Sequence, residues 1–258
     1  MRYINNNKKI ESLKNIKDFA VITDFDWTLT TSSSQTSMGI VPDFIGGELL
    51  KKRKELFENY RPIEIDYTIP KDKKLELMRE WAQKSFGLLA HYVTKGSVID
   101  ATKNAKTQLR SGVKELFERF NKYNIPVVVM SAGFGNVVRL FLENEGVLYD
   151  NVTIVGNFFE FNNNIATIDL ENIIFTSNKS YVNIPEELRN IIEKKDKILL
   201  FGDIIEDIKM IDKKQLDKTI TFGFLDKNID SNLQKYNEKF DVVLADNDDF
   251  NAINDIIV

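Results

Sequence analysis

The 258-residue chain contains no cysteine and a single histidine, His91. The first absence excludes disulfides, thiolate metal sites and cysteine nucleophiles. The second rules out a multi-histidine metal site and leaves one residue through which a Ser-His-Asp triad could run. His91 has no supporting partner nearby in the sequence and reads as structural. No apolar run approaches a membrane span, and the Asn/Lys-rich start, Asn5 to Lys9, is not a signal peptide. A soluble cytoplasmic protein with no membrane partner is the expectation. A strongly basic block is also missing. With 35 Lys+Arg, 39 Asp+Glu and a net charge of -4, nucleic acid is not an expected partner. The acidic stretch Asp246-Asn247-Asp248-Asp249 lacks the sixth-place glycine and closing glutamate of a calcium loop. Carboxylates, lysine, Ser/Thr and a hard cation remain as catalytic material.

What is present is a regular alternation. Phe19 to Phe25 reads as a buried strand, preceded by a polar segment, residues 1 to 18, that suggests a short helix. Thr30 to Thr36 is a Ser/Thr-rich loop leaving the core. From about Gly39 to Gln108 the pattern is mostly helical. Leu49, Leu50, Leu56 and Phe57 share one face, and Pro70 opens a helix carrying Leu75, Met78 and Ala82. After Gly112 a helix with Val113, Leu116, Phe117 and Phe120 precedes an apolar strand, Ile125 to Met130. Ser131-Ala132-Gly133 then leads into a helix with Val137, Leu140 and Phe141. Val152 to Val155 and Ile165 to Ile168 read as short strands with Asn162 to Asn164 as the turn between them. Pro185 starts a helix, and Ile198 to Phe201 is a further core strand ending in Gly202-Asp203. A helix with Ile205 and Ile208 follows it. Thr219 to Phe224 and Val242 to Leu244 complete the strands, and the last helix carries Phe250, Ile253 and Ile257.

Strands apolar throughout are covered on both faces. The order predicts an α/β fold, a doubly wound, mainly parallel sheet with a smaller helical cap inserted after the first strand. The expected division is a core of residues 1–37 and 110–258 with a cap of residues 38–109, which is ample for a sizeable apolar core. Ligands of such sheets sit beyond the carboxyl ends of the strands. Three of those ends carry a polar group: Asp24 and Asp26, Ser131, and Asp203. Paired carboxylates at a core strand tip are costly unless something offsets their charge, and a cation with a phosphate would do so. Each piece alone has a plainer explanation. The Asp pair could be a turn, Ser131 a helix cap, and Lys179 a solvated loop lysine.

Taken in order, Asp24-Phe25-Asp26-Trp27-Thr28, Ser131-Ala132-Gly133, Lys179, and Gly202-Asp203 with Asp207 four residues on resemble the four motifs of the haloacid dehalogenase-like superfamily. That resemblance implies phosphoryl transfer, with Asp24 as nucleophile and Asp26 as the acid and then the base. Mg²⁺ would be held by Asp24, the backbone carbonyl of Asp26, and Asp203, with Thr28 supporting. Asp207 would be either a ligand through water or the partner of Lys179. Ser131, with the N–H groups of Ala132 and Gly133 at a helix start, would hold phosphate beside Lys179. A dehalogenase is disfavoured because displacing halide needs no proton donor, and Asp26 is present.

The text of the insert is more specific. Glu80-Trp81 followed by Lys84-Ser85-Phe86-Gly87-Leu88-Leu89 is similar to the cap signature of the pyrimidine 5′-nucleotidase family. The similarity runs on through Ser131 to Val137, Asn157-Phe158, Asn178-Lys179 and Asp241 to Leu244. It implies Mg²⁺-dependent hydrolysis of pyrimidine nucleoside 5′-monophosphates such as UMP and CMP, with Glu80 contacting the base. A nucleotide is then the expected small-molecule partner; oligomeric state is not readable, and a monomer is the working expectation. Trp81, Phe86 and Tyr92 are candidates to stack on a base or to fill the core. The fourth motif departs from the family's Gly-Asp-Ser-x-Gly-Asp: Ile204 and Glu206 stand where Ser and Gly are usual. Two alternatives stay open, a phosphoserine- or sugar-phosphate-type phosphatase and a catalytically silent nucleotide-binding protein.

Overall fold

Strand Phe19–Asp24 is buried at all six positions because it lies in the middle of a sheet covered on both sides. Phe19 and Val21 point into one apolar cluster, Ala20 and Ile22 into another on the opposite face. The computed structural model describes residues 1–13, 18–66, 68–163 and 165–254. Asn164 and Ile257, expected in a turn and on the last helix, lie outside them.

In chain order the elements begin with β1 (Arg2–Ile4), α1 (Asn7–Glu11) and β2 (Phe19–Asp24). Four helices follow: α2 (Ser37–Ile45), α3 (Gly47–Ile65), α4 (Lys71–Ala90) and α5 (Lys95–Lys103). The chain returns through α6 (Val113–Lys122), β3 (Val127–Phe134), α7 (Gly135–Asn144) and β4 (Val152–Asn157). A hairpin, β5 (Glu160–Asn162) with β6 (Ile165–Thr167), precedes α8 (Glu186–Glu193) and β7 (Lys197–Gly202). The end comprises β8 (Thr219–Leu225), α9 (Ile229–Asn237), β9 (Val242–Ala245) and α10 (Asn251–Asn254).

The main sheet has seven strands in the order β1-β9-β8-β7-β2-β3-β4. Every pairing is parallel except the edge, where β1 runs antiparallel to β9. The doubly wound α/β reading therefore holds. Two local expectations change. The start of the chain is an edge strand before it is a helix, because Arg2 to Ile4 pair with Val242 to Leu244. β4 does not form a hairpin with β6. It extends the main sheet beside β3, and β6 pairs with Glu160–Asn162.

The helix expected after Gly202 is a 3-10 helix, Ile205–Met210. Asp207 reaches back from it to the backbone N–H groups of Asp203 and Ile204. A β-carbon on Gly202 would lie 2.5 Å from that of Asp207, so only glycine permits this approach.

Helices α2 to α5 gather around their own cluster, with Ile40, Leu49, Met78, Phe86, Leu89 and Val98 at its centre. Phe134, Val137, Phe159 and Phe175 from the returning chain join it. The helical segment is thus seated on the carboxyl end of β3 and on the loop before Lys179. Among the described residues, no helix is long and apolar enough to cross a membrane.

Candidate active site

Strands β3, β2 and β7 are neighbours, so their polar tips lie side by side. Asp24 pairs in register with Met130, and Thr23 with Phe201. One oxygen each from Asp24, Asp203 and Asp207 falls within a 4.8 Å group. Such crowding of buried acids requires a cation. Lys179 supplies one: its ammonium pairs with Asp24 and, at 2.6 Å, with Asp207. All three of these side chains are at most 7% exposed.

Burial by itself would lower the Lys179 pKa; Asp24 and Asp207 more than reverse this, and the ammonium is held protonated. Burial raises Asp24 to about 7 against the opposing pull of Lys179, with Asp207 and Asp26 adding to the rise. Asp203 is pushed well above the usual range by burial first and by Asp24 and Asp207 next. Ionised together, Asp24, Asp203 and Asp207 would carry more negative charge than Lys179 offsets. Asp24 Oδ2 is buried with no hydrogen-bond partner among the described residues. An all-oxygen set with an orphaned carboxylate oxygen suits a hard divalent cation.

Asp207 is committed to Lys179 and to two backbone N–H groups. Of the two roles the sequence left open for it, the structure shows the partner of Lys179. Ile204 contributes its backbone to this arrangement and Glu206 is exposed, so the altered fourth motif keeps Asp207 anchored. Tyr236 supports the same loop by donating its hydroxyl to the Asp203 carbonyl at 2.5 Å.

Asp26 stands apart from the acidic group. Its carboxylate accepts two hydrogen bonds of 2.6 Å from Ser37, one from the backbone N–H and one from the hydroxyl. Burial raises its pKa and the Ser37 bonds oppose the rise. Trp27, the next residue, has φ of 62°. That left-handed backbone is unfavourable for a bulky residue and must be held by its surroundings. Trp27 N–H donates to Thr30 Oγ1 at 2.8 Å, and buried Arg110 takes the carbonyls of Trp27 and Thr28 at 2.5 and 3.0 Å. Thr28 is buried and its hydroxyl has no hydrogen-bond partner among the described residues. Sequence reasoning missed both Ser37 and Arg110.

Ser131, Ala132 and Gly133 require a correction. They do not stand at a helix start; they continue β3 to Phe134, and α7 begins only at Gly135. The ladder shifts register between Met130 and Phe134. Asn157 holds the segment extended, donating to the carbonyls of Ala132 and Gly133 at 3.1 and 3.3 Å. Ser131 Oγ is fully buried, accepts from Gly133 N–H at 3.0 Å and lies 3.3 Å from Ser37 Oγ.

A cavity of about 490 Å³ opens between this segment and the helical insert. Ala132, Phe175, Thr176 and Ser177 line one part of it; Arg53, Phe57, Trp81, Ser85 and Phe86 line another. Trp81 lies parallel to Tyr60 at 5.9 Å between ring centres. Glu80 is not among the lining residues. It is half-exposed and ion-paired with Lys84 at 2.6 Å. Tyr92 is also absent from the lining and accepts a bond from Lys52. His91 ends α4 on the surface.

Residues 22–258 match the family described as pyrimidine 5′-nucleotidase (UMPH-1). The 7-methylguanosine phosphate-specific 5′-nucleotidase of Drosophila melanogaster is 32% identical over 239 residues, 88% of this chain and 75% of that protein. Its namesake from Gallus gallus is 29% identical over 248 residues, 92% of this chain and 86% of that one. The solved structure of cytosolic 5′-nucleotidase IIIB bound to cytidine superposes with a TM-score of 0.82 at 25% identity, covering 99% of this chain and 92% of that one. Apo phosphoserine phosphatase shares the fold, with a TM-score of 0.56 at 18% identity over 93% of this chain and 100% of that one.

Proposed function

Since the chain belongs to the pyrimidine 5′-nucleotidase (UMPH-1) family and is a phosphoric monoester hydrolase, we propose that it hydrolyses pyrimidine nucleoside 5′-monophosphates in a Mg²⁺-dependent reaction. The observation that carries this reading is the buried Lys179 bridge between Asp24 and Asp207, set beside Asp203 at the strand tips. Phosphoryl transfer asks chiefly for positioning and charge neutralisation, and this arrangement provides both.

In the proposed first step an Asp24 carboxylate oxygen attacks phosphorus. The bond from phosphorus to the ester oxygen breaks, and its electron pair leaves with that oxygen. Protonated Asp26 gives its proton to the leaving oxygen and becomes a carboxylate. Asp26 then takes a proton from water as the water oxygen attacks the aspartyl-phosphate. Phosphate departs, and Asp24 is regenerated. Lys179 stabilises charge on the transferring group, and Ser131 with the Ala132 backbone orients its oxygens. Asp24, Asp203 and the Asp26 backbone carbonyl would hold Mg²⁺, which when bound neutralises charge on the phosphoryl oxygens.

Residues 38–109 are proposed as the cap that selects the ester. The cavity is the size of a small-molecule site, with aromatic walls and a polar floor. Trp81 is the first candidate to stack on the base; Glu80 would meet it only after leaving Lys84. A second reading of the base rests on the relatives, named as 7-methylguanosine phosphate-specific. A positively charged purine would gain from the Phe57 and Trp81 rings. The proposed setting is the cytoplasm, as for cytosolic 5′-nucleotidase IIIB.

Phosphate release from UMP, CMP, 7-methylguanosine monophosphate, ribose 5-phosphate and phosphoserine, with Mg²⁺ or with EDTA, tests the proposal. A pyrimidine nucleotide preference lost in EDTA is expected. Turnover of ribose 5-phosphate or phosphoserine alone would reject the nucleotide assignment.

A further inference from the structure

Ser37 is the first residue of α2 and is fully buried. Its two donors engage different atoms of Asp26: the backbone N–H bonds Oδ1 and the hydroxyl bonds Oδ2, each at 2.6 Å. The carboxyl group cannot turn about its own axis without breaking both bonds. In the carboxylate form both oxygens accept from Ser37, one from the N–H and one from the hydroxyl, and the lone pairs facing away from α2 are left for a proton shared with a leaving oxygen. The opposite wall of this small compartment is equally committed. A β-carbon on Gly133 would lie 2.0 Å from Ser37 Oγ, and Ser131 Oγ lies 3.3 Å from it. The space for one serine hydroxyl is thus closed by the segment proposed to bind phosphate.

We infer that Ser37 is a positioning residue for proton transfer: the first residue of α2, at the junction of core and insert, aims the Asp26 carboxyl at the leaving oxygen. The inference rests on the reading of Asp26 as the acid. It makes the junction between core and insert a contributor to the chemical step. The step is the one written above, in which the ester bond breaks, the electron pair goes to the leaving oxygen, and the Asp26 proton follows it. Ser37 neither gives nor receives that proton.

The leaving group separates this role from a general structural one. A nucleoside leaves as an alkoxide and needs the proton; 4-nitrophenolate is stable as an anion and does not. Formation of the aspartyl-phosphate is followed in single turnovers with UMP and with 4-nitrophenyl phosphate, for the parent, Ser37→Ala and Ser37→Thr. Ser37→Ala is expected to slow the step about 10- to 100-fold with UMP, within the roughly 10²–10⁴-fold that general acid catalysis supplies. With 4-nitrophenyl phosphate the change should stay below about threefold, being a step that draws little on that acid. Ser37→Thr, which keeps the hydroxyl, should restore most of the UMP rate. Equal loss with both esters, or no loss with either, would overturn the assignment of Ser37 alone. A parent inactive on both esters would overturn the hydrolase reading and this inference with it. If Ser37→Ala does not fold, Ser37→Cys, of similar shape but a weaker donor, carries the same comparison.

Discussion

Lys179 and Asp207 form an ion pair of 2.6 Å with side chains 4% and 0% exposed, and the same ammonium pairs with Asp24. Removing one partner of a buried pair leaves the other charge without compensation, at a cost of about 3–5 kcal/mol. Lys179→Met should therefore lower the free energy of unfolding in urea by about that amount and abolish turnover. Mg²⁺ should recover part of the stability, since it would meet Asp24, one of the two carboxylates left unpaired, while activity stays lost. Unchanged stability in Lys179→Met would mean that Asp24 and Asp207 are not both charged around this lysine.

Asp24→Asn is the most direct probe of the covalent step. The amide keeps the shape of the carboxylate but is a far poorer nucleophile toward phosphorus. Turnover should vanish, while nucleotide binding, measured by calorimetry with UMP, should persist because the cavity wall is untouched. Residual turnover near the parent rate would exclude an aspartyl-phosphate on this residue. A parent that binds UMP without releasing phosphate would favour the silent nucleotide-binding alternative.

The parts of this arrangement that were legible in the sequence are those carried by local pattern. Phe19 to Ile22 and Ile198 to Phe201 are apolar at successive positions because both faces are covered, and the polar residues beyond them mark the site. Ser37 was not legible. It sits after Ser32, Ser33, Ser34 and Thr36, and nothing in the loop separates it from them. Its role comes from a contact with Asp26 across the fold. The Ser131-Ala132-Gly133 segment looked like a strand exit because Ala-Gly is a weak strand former. What keeps it extended is Asn157, 25 residues away from Ala132. Glu80 was singled out by family resemblance, and its placement beside Lys84 is a helix-surface pairing that resemblance does not encode.

The raised pKa values of Asp24 and Asp203 make stability depend on pH in a definite direction. A carboxyl whose folded pKa lies above its unfolded value stabilises the fold fully below the unfolded pKa. That contribution fades as pH rises through the folded pKa. In EDTA the melting temperature should therefore fall as pH is raised from about 4, the unfolded value, through about 7, where Asp24 titrates in the fold. A divalent cation binds the deprotonated form, so the fall should shrink as Mg²⁺ is added. Thermal unfolding across that pH range, with EDTA and with Mg²⁺, checks both signs. A melting temperature rising with pH in EDTA would contradict the burial of these acids.

Arg110 tests whether the return of the chain from the insert is tied to the catalytic loop. Its guanidinium pairs with Asp226 at 2.5 Å, donates to the carbonyls of Trp27, Thr28 and Asp248, and lies 4.4 Å over the Phe224 ring. Its own backbone N–H donates to Leu29 at 2.9 Å. One side chain thus joins β8, the acidic segment after β9 and the turn that follows Asp26. No other side chain offers five donors in a planar fork, and lysine would leave several of these buried acceptors unpaired. Arg110→Lys should cost about 1–3 kcal/mol. Arg110→Met, which strands Asp226, should cost about 3–5 kcal/mol. Because the bonds to Trp27 and Thr28 hold a left-handed backbone beside the acid, kcat should fall in Arg110→Lys while KM for UMP changes little. Urea titrations give the first quantity and steady-state kinetics on the folded variant the second. A variant that loses stability yet keeps kcat would show that Arg110 holds the sheet edge together without steering Asp26.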